Sequence, residues 1–267
     1  MKSHVLAALL AAASPLALTA CATTGAGQST ATDTAYTTAQ AEVARLTAQA
    51  NENILLKPWT GPHGGVPPWD HADAALIPAA FELGIALQEA EVQAVANDPA
   101  SPTFDNTLVA MQNVGRHLDR ATTIFAIMTD NVSTPAVQEV EAEWSPRLTA
   151  AYNAITFNRA LYARINSLHE QRATLGLSAE QLRLLERTRD QFVRAGAAAT
   201  PEQQARLGAI NEELSTKFAD FGRRLLADEN TAIFINRQSD LAGLPQNMRE
   251  AFAAAATERG HPGQWAV

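Results

Sequence analysis

Asn53-Ile-Leu-Leu-Lys-Pro-Trp-Thr-Gly-Pro-His-Gly-Gly-Val-Pro-Pro-Trp-Asp70 holds four prolines, three glycines and two tryptophans in eighteen residues. That mixture excludes a helix, because proline fixes φ and removes an amide donor while Gly64-Gly65 opens backbone angles closed to other residues. A disordered linker is excluded by Trp59 and Trp69 lying beside Ile54, Leu55, Leu56 and Val66. The composition predicts an extended, repeatedly bent segment with both tryptophans pinned on a folded body. Upstream of it the chain reads as an export signal and tether, and downstream as a helical domain.

The 267 residues are enough for one large domain or two small ones, and a formal charge of −8 without a basic run argues against a nucleic-acid partner. Frequent alanine and only 6% aromatic residues favour helices. Met1 to Ala20 has Lys2 at its start and two short apolar runs, the pattern of a secretory signal too short to span a bilayer comfortably. Leu18-Thr19-Ala20-Cys21 resembles the bacterial lipobox, and Cys21 is the one cysteine of the chain. This resemblance implies lipidation of Cys21, a membrane partner through that anchor, and a cell-envelope lipoprotein on the periplasmic side. Ala22 after the cysteine points to the outer membrane. Ala22 to Thr38 reads as a flexible tether, and Ala39 to Asn51 as a short helix with a thin apolar face.

Beyond the Trp/Gly/Pro stretch the apolar period becomes about 3.6. A first helix, Asp73 to Asn97, is predicted to turn Ile77, Phe81, Gly84 and Leu87 inward. A second carries Phe104, Leu108, Met111, Gly115, Leu118 and Phe125 on one stripe, with Gly115 allowing close approach of a neighbour. Thr134-Pro135 starts a third helix, which Pro146 should kink or divide. Ser178 with Gln181 and Thr200 with Gln203 open two more, the last bearing Leu207, Ile210, Leu214, Phe218, Phe221 and Leu225. Ala232 to Ile235 and Gln264 to Val267 read as short strands around a helix from Pro245 to Glu258. The expected fold is mainly α: an antiparallel helical lobe of long helices with one short strand pair near the C-terminus. Residues 1–20 are expected as the signal, 21–52 as tether and short helix, and 53–267 as the lobe.

The histidines are the first place where chemistry would show. A zinc-peptidase helix needs H-E-x-x-H, since histidines four apart share a face; after His169-Glu170 the fifth position is Ala173. His71 with Asp70 and Asp73 reads as a helix start rather than a metal cluster. His117 beside Asp119 and Arg120 reads as surface, and His63 has no ligand partner at workable spacing. Glu139, Glu141 and Glu143, with Arg147 four residues on, read as a solvated face. No catalytic, cofactor-binding or metal residue is assigned.

Several stretches together resemble the N-terminal region of bacterial peptidyl-dipeptidases, relatives of thimet oligopeptidase and oligopeptidase A. They are Asn53 to Trp69, Pro102-Thr-Phe-Asp-Asn-Thr107, Leu214-Ser-Thr-Lys-Phe-Ala-Asp-Phe221, Leu226-Ala-Asp-Glu-Asn230 and Leu241-Ala-Gly-Leu-Pro245. The resemblance implies a helical, two-lobed zinc peptidase with a deep channel, acting on short peptides and releasing C-terminal dipeptides. Its zinc ligands belong to the C-terminal half of the family's sequence, so none is carried over to a residue here. The strand-like run that stops at Val267 is read as a truncation. The expectation is a channel-walling part of such an enzyme, inactive alone. The alternative is a non-catalytic, lipid-anchored helical module that binds a peptide or a partner protein.

Overall fold

The computed structural model describes residues 23–229 and 231–267, with side-chain surroundings from residue 31 onward. The signal and Cys21 lie outside the described residues. Among the described residues eight α-helices follow one another: α1 Thr23–Glu52, α2 Ile77–Ala96, α3 Arg116–Asn131, α4 Pro135–Thr156, α5 Arg159–Gln171, α6 Ala179–Arg194, α7 Pro201–Glu229 and α8 Gln246–Glu258. Two short strands, β1 Phe234–Ile235 and β2 Trp265–Ala266, pair antiparallel near the C-terminus. The fold is mainly α, with that single strand pair. Among the described residues no helix is long and apolar enough to cross a membrane.

α2 is the hub, because α1, α3, α4 and α5 all lie against it. Its sequence is largely apolar, and all but one narrow face, carrying Ala79, Glu82, Glu89 and Gln93, is buried or half-buried. At one end Phe81 sits 5.4 Å from both Phe125 of α3 and Trp144 of α4, edge-on to the first and tilted to the second. Leu55, Leu56, Ile77, Leu87 and Ile124 complete this core. At the other end Val92 and Ala96 join Leu161, Ile165 and Leu168 of α5 and Leu185 and Phe192 of α6 in a second core. Buried Arg164 ties the turn after α2 to α5, donating to the carbonyls of Asp98 at 2.7 Å and Ala100 at 3.1 Å and to Asn106 Oδ1 at 3.0 Å. Two glycines allow close approach: Gly115, as expected, lies against Gln88 of α2, and at Gly84 a Cβ would lie 2.9 Å from Leu118 Cδ1 and 3.2 Å from its Cα.

Four expectations are corrected. The loose segment expected from Ala22 to Thr38 is helical from Thr23, with no proline to interrupt it. This helix meets the body through buried Ala39, Leu46 and Ala50, so packing of the lobe begins before residue 53. The helix predicted through Gly115 breaks there: residues 104–109 form a wider π turn, and Gly115 takes φ 81° before α3 starts. α4 runs through Pro146, held by buried Trp144 and Ala151 on either side of it, and ends instead at Phe157. There Asn158 Oδ1 accepts from Leu161 N–H at 3.0 Å and starts α5.

α7 departs most from its pattern. Its inward face is small and polar: buried Gln204, Gly208 and Ala219, with Asn211 Nδ2 donating to Asn153 Oδ1 of α4 at 2.9 Å. Leu214, Phe218, Phe221 and Leu225, the apolar residues the sequence places along it, are exposed. The unit after it packs chiefly on itself, α8 against β2, with His261 stacked 3.9 Å from Phe234.

Gly84→Val adds atoms where α2 meets the backbone of α3. It is expected to cost about 2 kcal/mol, the usual scale for overpacking a core, read as a lowered midpoint in urea unfolding followed by circular dichroism.

Candidate functional site

The Trp/Gly/Pro stretch is fastened at its root and presented at its tip. Leu55 and Leu56 are fully buried, and the Leu56 carbonyl accepts from the Arg120 guanidinium of α3 at 2.8 Å. The chain then loops out and closes on itself, with Val66 N–H donating to the Thr60 carbonyl at 3.1 Å. His63 sits in the left-handed region at φ 59°. Gly65 lies under Trp59 at φ 119°, where a Cβ would come 2.8 Å from the Trp59 carbonyl oxygen. Only one tryptophan is pinned as expected. Trp59 packs against the core, whereas Trp69 is 43% exposed beside exposed Asp70 and His71.

The histidines are scattered over separate surfaces. Asp73 caps the turn into α2, its Oδ1 accepting from Ala75 N–H at 2.9 Å, which is the role expected of it. His63 and His71 are exposed. His169 lies among Arg172, Arg189, Glu186 and Asp190, and its pKa is lowered first by burial and then by the two cations. Its neighbour Glu170 accepts from Asn166 Nδ2 at 2.7 Å. His117 is not simple surface: its Nδ1 is buried without a partner, and burial, then Arg120, lowers its pKa. Among the described residues no three His, Cys, Asp or Glu side chains gather where they could hold a metal ion.

The acidic run on α4 divides. Glu143 pairs with Arg147 at 3.3 Å in solvent, and Arg147 also stacks 3.6 Å over the Trp144 ring. Glu139 is exposed, but Glu141 is half-buried, and burial followed by Asp130 raises its pKa against the lowering effect of Arg223.

Two features emerge only in three dimensions. Between α2 and α4 runs an open cleft in two parts of about 500 and 380 Å³, sharing Ala86 and Glu89. Its floor is alanine, and Glu42, Glu82, Glu89 and Arg147 stand around it. The second is Glu91, whose Oε2 accepts from the Gly115 backbone N–H at 2.7 Å and so satisfies the first amide before α3. Burial, then nearby Asp119, raises the Glu91 pKa, while the Gly115 bond lowers it. A carboxylate 24 residues away from the helix it caps leaves no signal in local spacing. These groups can bind and orient; they form no nucleophile–base arrangement.

No family model matches the sequence. Two curated relatives do, and both carry the name dipeptidyl carboxypeptidase. That of Salmonella typhimurium is 36% identical over 189 residues, covering 70% of this chain. That of Escherichia coli is 33% identical over 189 residues. The matched region is similar to proteins of the peptidyl-dipeptidase family. A third relative, the organellar oligopeptidase A (chloroplastic/mitochondrial) of Arabidopsis thaliana, is 22% identical over 199 residues. The chain spans only about 28% of the length of the two dipeptidyl carboxypeptidases.

Glu91 gives this region a pH signature. A carboxyl whose folded pKa is raised contributes stability below its unfolded pKa that is lost as pH rises through the folded value. Glu91→Gln keeps an oxygen for Gly115 and removes the titration. The variant is expected to gain on the wild type as pH rises from the ordinary carboxylate range upward through the raised Glu91 pKa, seen as a widening Tm difference in its favour by calorimetry.

Proposed function

We propose that this chain supplies the helical, channel-walling portion of a zinc peptidyl-dipeptidase that trims short peptides from their C-terminal ends. The observation that carries the reading is the 36% identity over 189 residues to the dipeptidyl carboxypeptidase of Salmonella typhimurium. The zinc would supply Lewis-acid chemistry at the peptide carbonyl and an activated water. The described residues do not gather a ligand set for such an ion: around His169 stand Arg172 and Arg189 as well as Glu186 and Asp190, no three candidate ligands come together, and its glutamate neighbour is engaged by Asn166. The ligands are accordingly assigned to the part of the fold outside this chain, and the chain alone is proposed to be inactive. The part played here is to wall and narrow the approach to the channel. A free-standing binding module is the weaker reading, because it would leave the α7 phenylalanines in water with no partner.

The test is a chimera in which this chain replaces the matched region of the Salmonella relative. It is expected to release C-terminal dipeptides from short peptides, whereas the chain alone neither turns over peptide nor holds stoichiometric zinc. An inactive chimera with the relative's own half intact would overturn the reading, as would zinc and turnover in the chain alone.

We also propose that Cys21 carries a lipid that holds the protein to the periplasmic side of the envelope, at the outer membrane. The support is the Leu18-Thr19-Ala20-Cys21 resemblance and the absence of any other cysteine in the sequence. Cys21→Ser is expected to abolish fatty-acid labelling and move the protein from the membrane to the soluble fraction; unchanged labelling would defeat the assignment.

A further inference from the structure

α7 offers the largest run of apolar side chains left in water among the described residues. Phe218 is 71% exposed and Phe221 64%, and Leu214, Leu225 and, past the helix end, Ile233 extend the run. Spacings of four, three and four place the helical members on one stripe. The face of the same helix used internally, through Gly208 and Ala219 against α4, lies about a third of a turn away, at about 100° per residue, and Asn211, bonded to Asn153, stands where the two meet. The stripe flanks that contact, and from Leu214 to Leu225 its side chains are left in solvent. Its exposed area is on the order of 500 Å², at the upper end of what one patch on a monomer carries. A standard interface takes about 800 Å² from each partner, so the stripe suits the apolar centre of an interface whose rim lies outside it.

The charges beside the stripe define what can cover it. Lys217 is matched by Glu213 at 3.3 Å. Asp220 serves both Arg223 and Arg224, and Arg224 stands 81% exposed. This shared arginine offers a partner a cation beside Leu225, toward the C-terminal end of the stripe. A second copy of this chain fits poorly. The antiparallel pairing that would match Leu214 to Leu225 and Phe218 to Phe221 also brings Lys217 beside Arg224 of the other helix. A better cover is an apolar surface with a carboxylate at one end.

We infer that the Leu214–Phe218–Phe221–Leu225 face, continued by Ile233, is the docking surface for the portion of the peptidyl-dipeptidase fold that the relatives possess outside the matched region. This rests on the functional reading above and names the contact through which the two portions act as one body. Two independent observations meet here: the unpartnered stripe, and the coverage of 28% of the Salmonella relative by this chain.

The test uses the chimera described above, with and without Phe218→Glu/Phe221→Glu, read by calorimetric unfolding as well as by activity. Docking predicts one cooperative transition in the parent chimera. The double variant should split off a separate, lower transition and lose at least tenfold in dipeptide release. The same substitutions in the isolated chain should leave its circular dichroism unchanged, since neither ring is buried there. A double variant that unfolds in one transition like its parent overturns the docking surface even where the parent is active. A parent chimera with two independent transitions overturns it as well. An inactive but cooperatively unfolding parent would instead sink the functional reading and leave the contact standing. Sedimentation of the isolated chain supplies the remaining arm: a dimer dispersed by the double variant would give the face to a second copy and defeat the proposal.

Discussion

Close approach between α2 and α3 is the constraint on which the lobe depends. Gly84 leaves no room for a Cβ against Leu118, and that proximity lets Phe81 reach both Phe125 and Trp144. With α3 and α4 drawn in by one ring, α2 is covered on most of its surface and its far end becomes the wall of a second core with α5 and α6. The tryptophan loop depends on the same arrangement, because Arg120, which holds the Leu56 carbonyl, is carried by α3. Polar groups are used sparingly but at the joints: Arg164 gathers the turn after α2, and Glu91 closes the start of α3.

Signals of short range are the legible ones. Thr134, Ser178 and Thr200 each accept from an amide three residues on, and the sequence shows both partners of each cap. Asn158 is a cap of the same kind, and it divides α4 from α5 where the sequence points to Pro146 instead. Signals that depend on the neighbour mislead. A stripe through Gly115 looks continuous in one dimension, but the residue adopts a left-handed angle and meets Gln88 and Glu91 of α2. The apolar stripe of α7 is legible as a stripe, whereas its exposure is not, since periodicity says that a face wants cover without saying what provides it.

The candidate site is legible to different degrees. Asn53 to Asp70 stands out by composition, and its looped backbone follows from its glycines and prolines. Which tryptophan is buried cannot be read, because Trp59 is held by contact with Gly65 and the core while Trp69 lies beyond the loop's closure. The alanine-floored cleft between α2 and α4 leaves no mark on the sequence. Alanine at those positions reads as helix propensity until two helices face each other. His117 misleads for a related reason: it lies off the apolar stripe, yet its Nδ1 is buried.

The helical start of α1 has a mechanical consequence. Between Thr23 and Ala39 an α-helix rises about 24 Å at about 1.5 Å per residue, and the side chains from residue 31 to 38 are largely in solvent. A string of that many residues would set only a maximum reach. A helix sets a distance and a bearing, so whatever is joined near its beginning is held like a load at the end of a lever. Inserting two residues between Ala31 and Thr38 would lengthen the arm by about 3 Å but swing the load through about 200° around its axis, because each residue turns a helix by about 100°. The orientation of the lobe toward its surroundings is thus written in the residue count of a stretch that lies mostly in water.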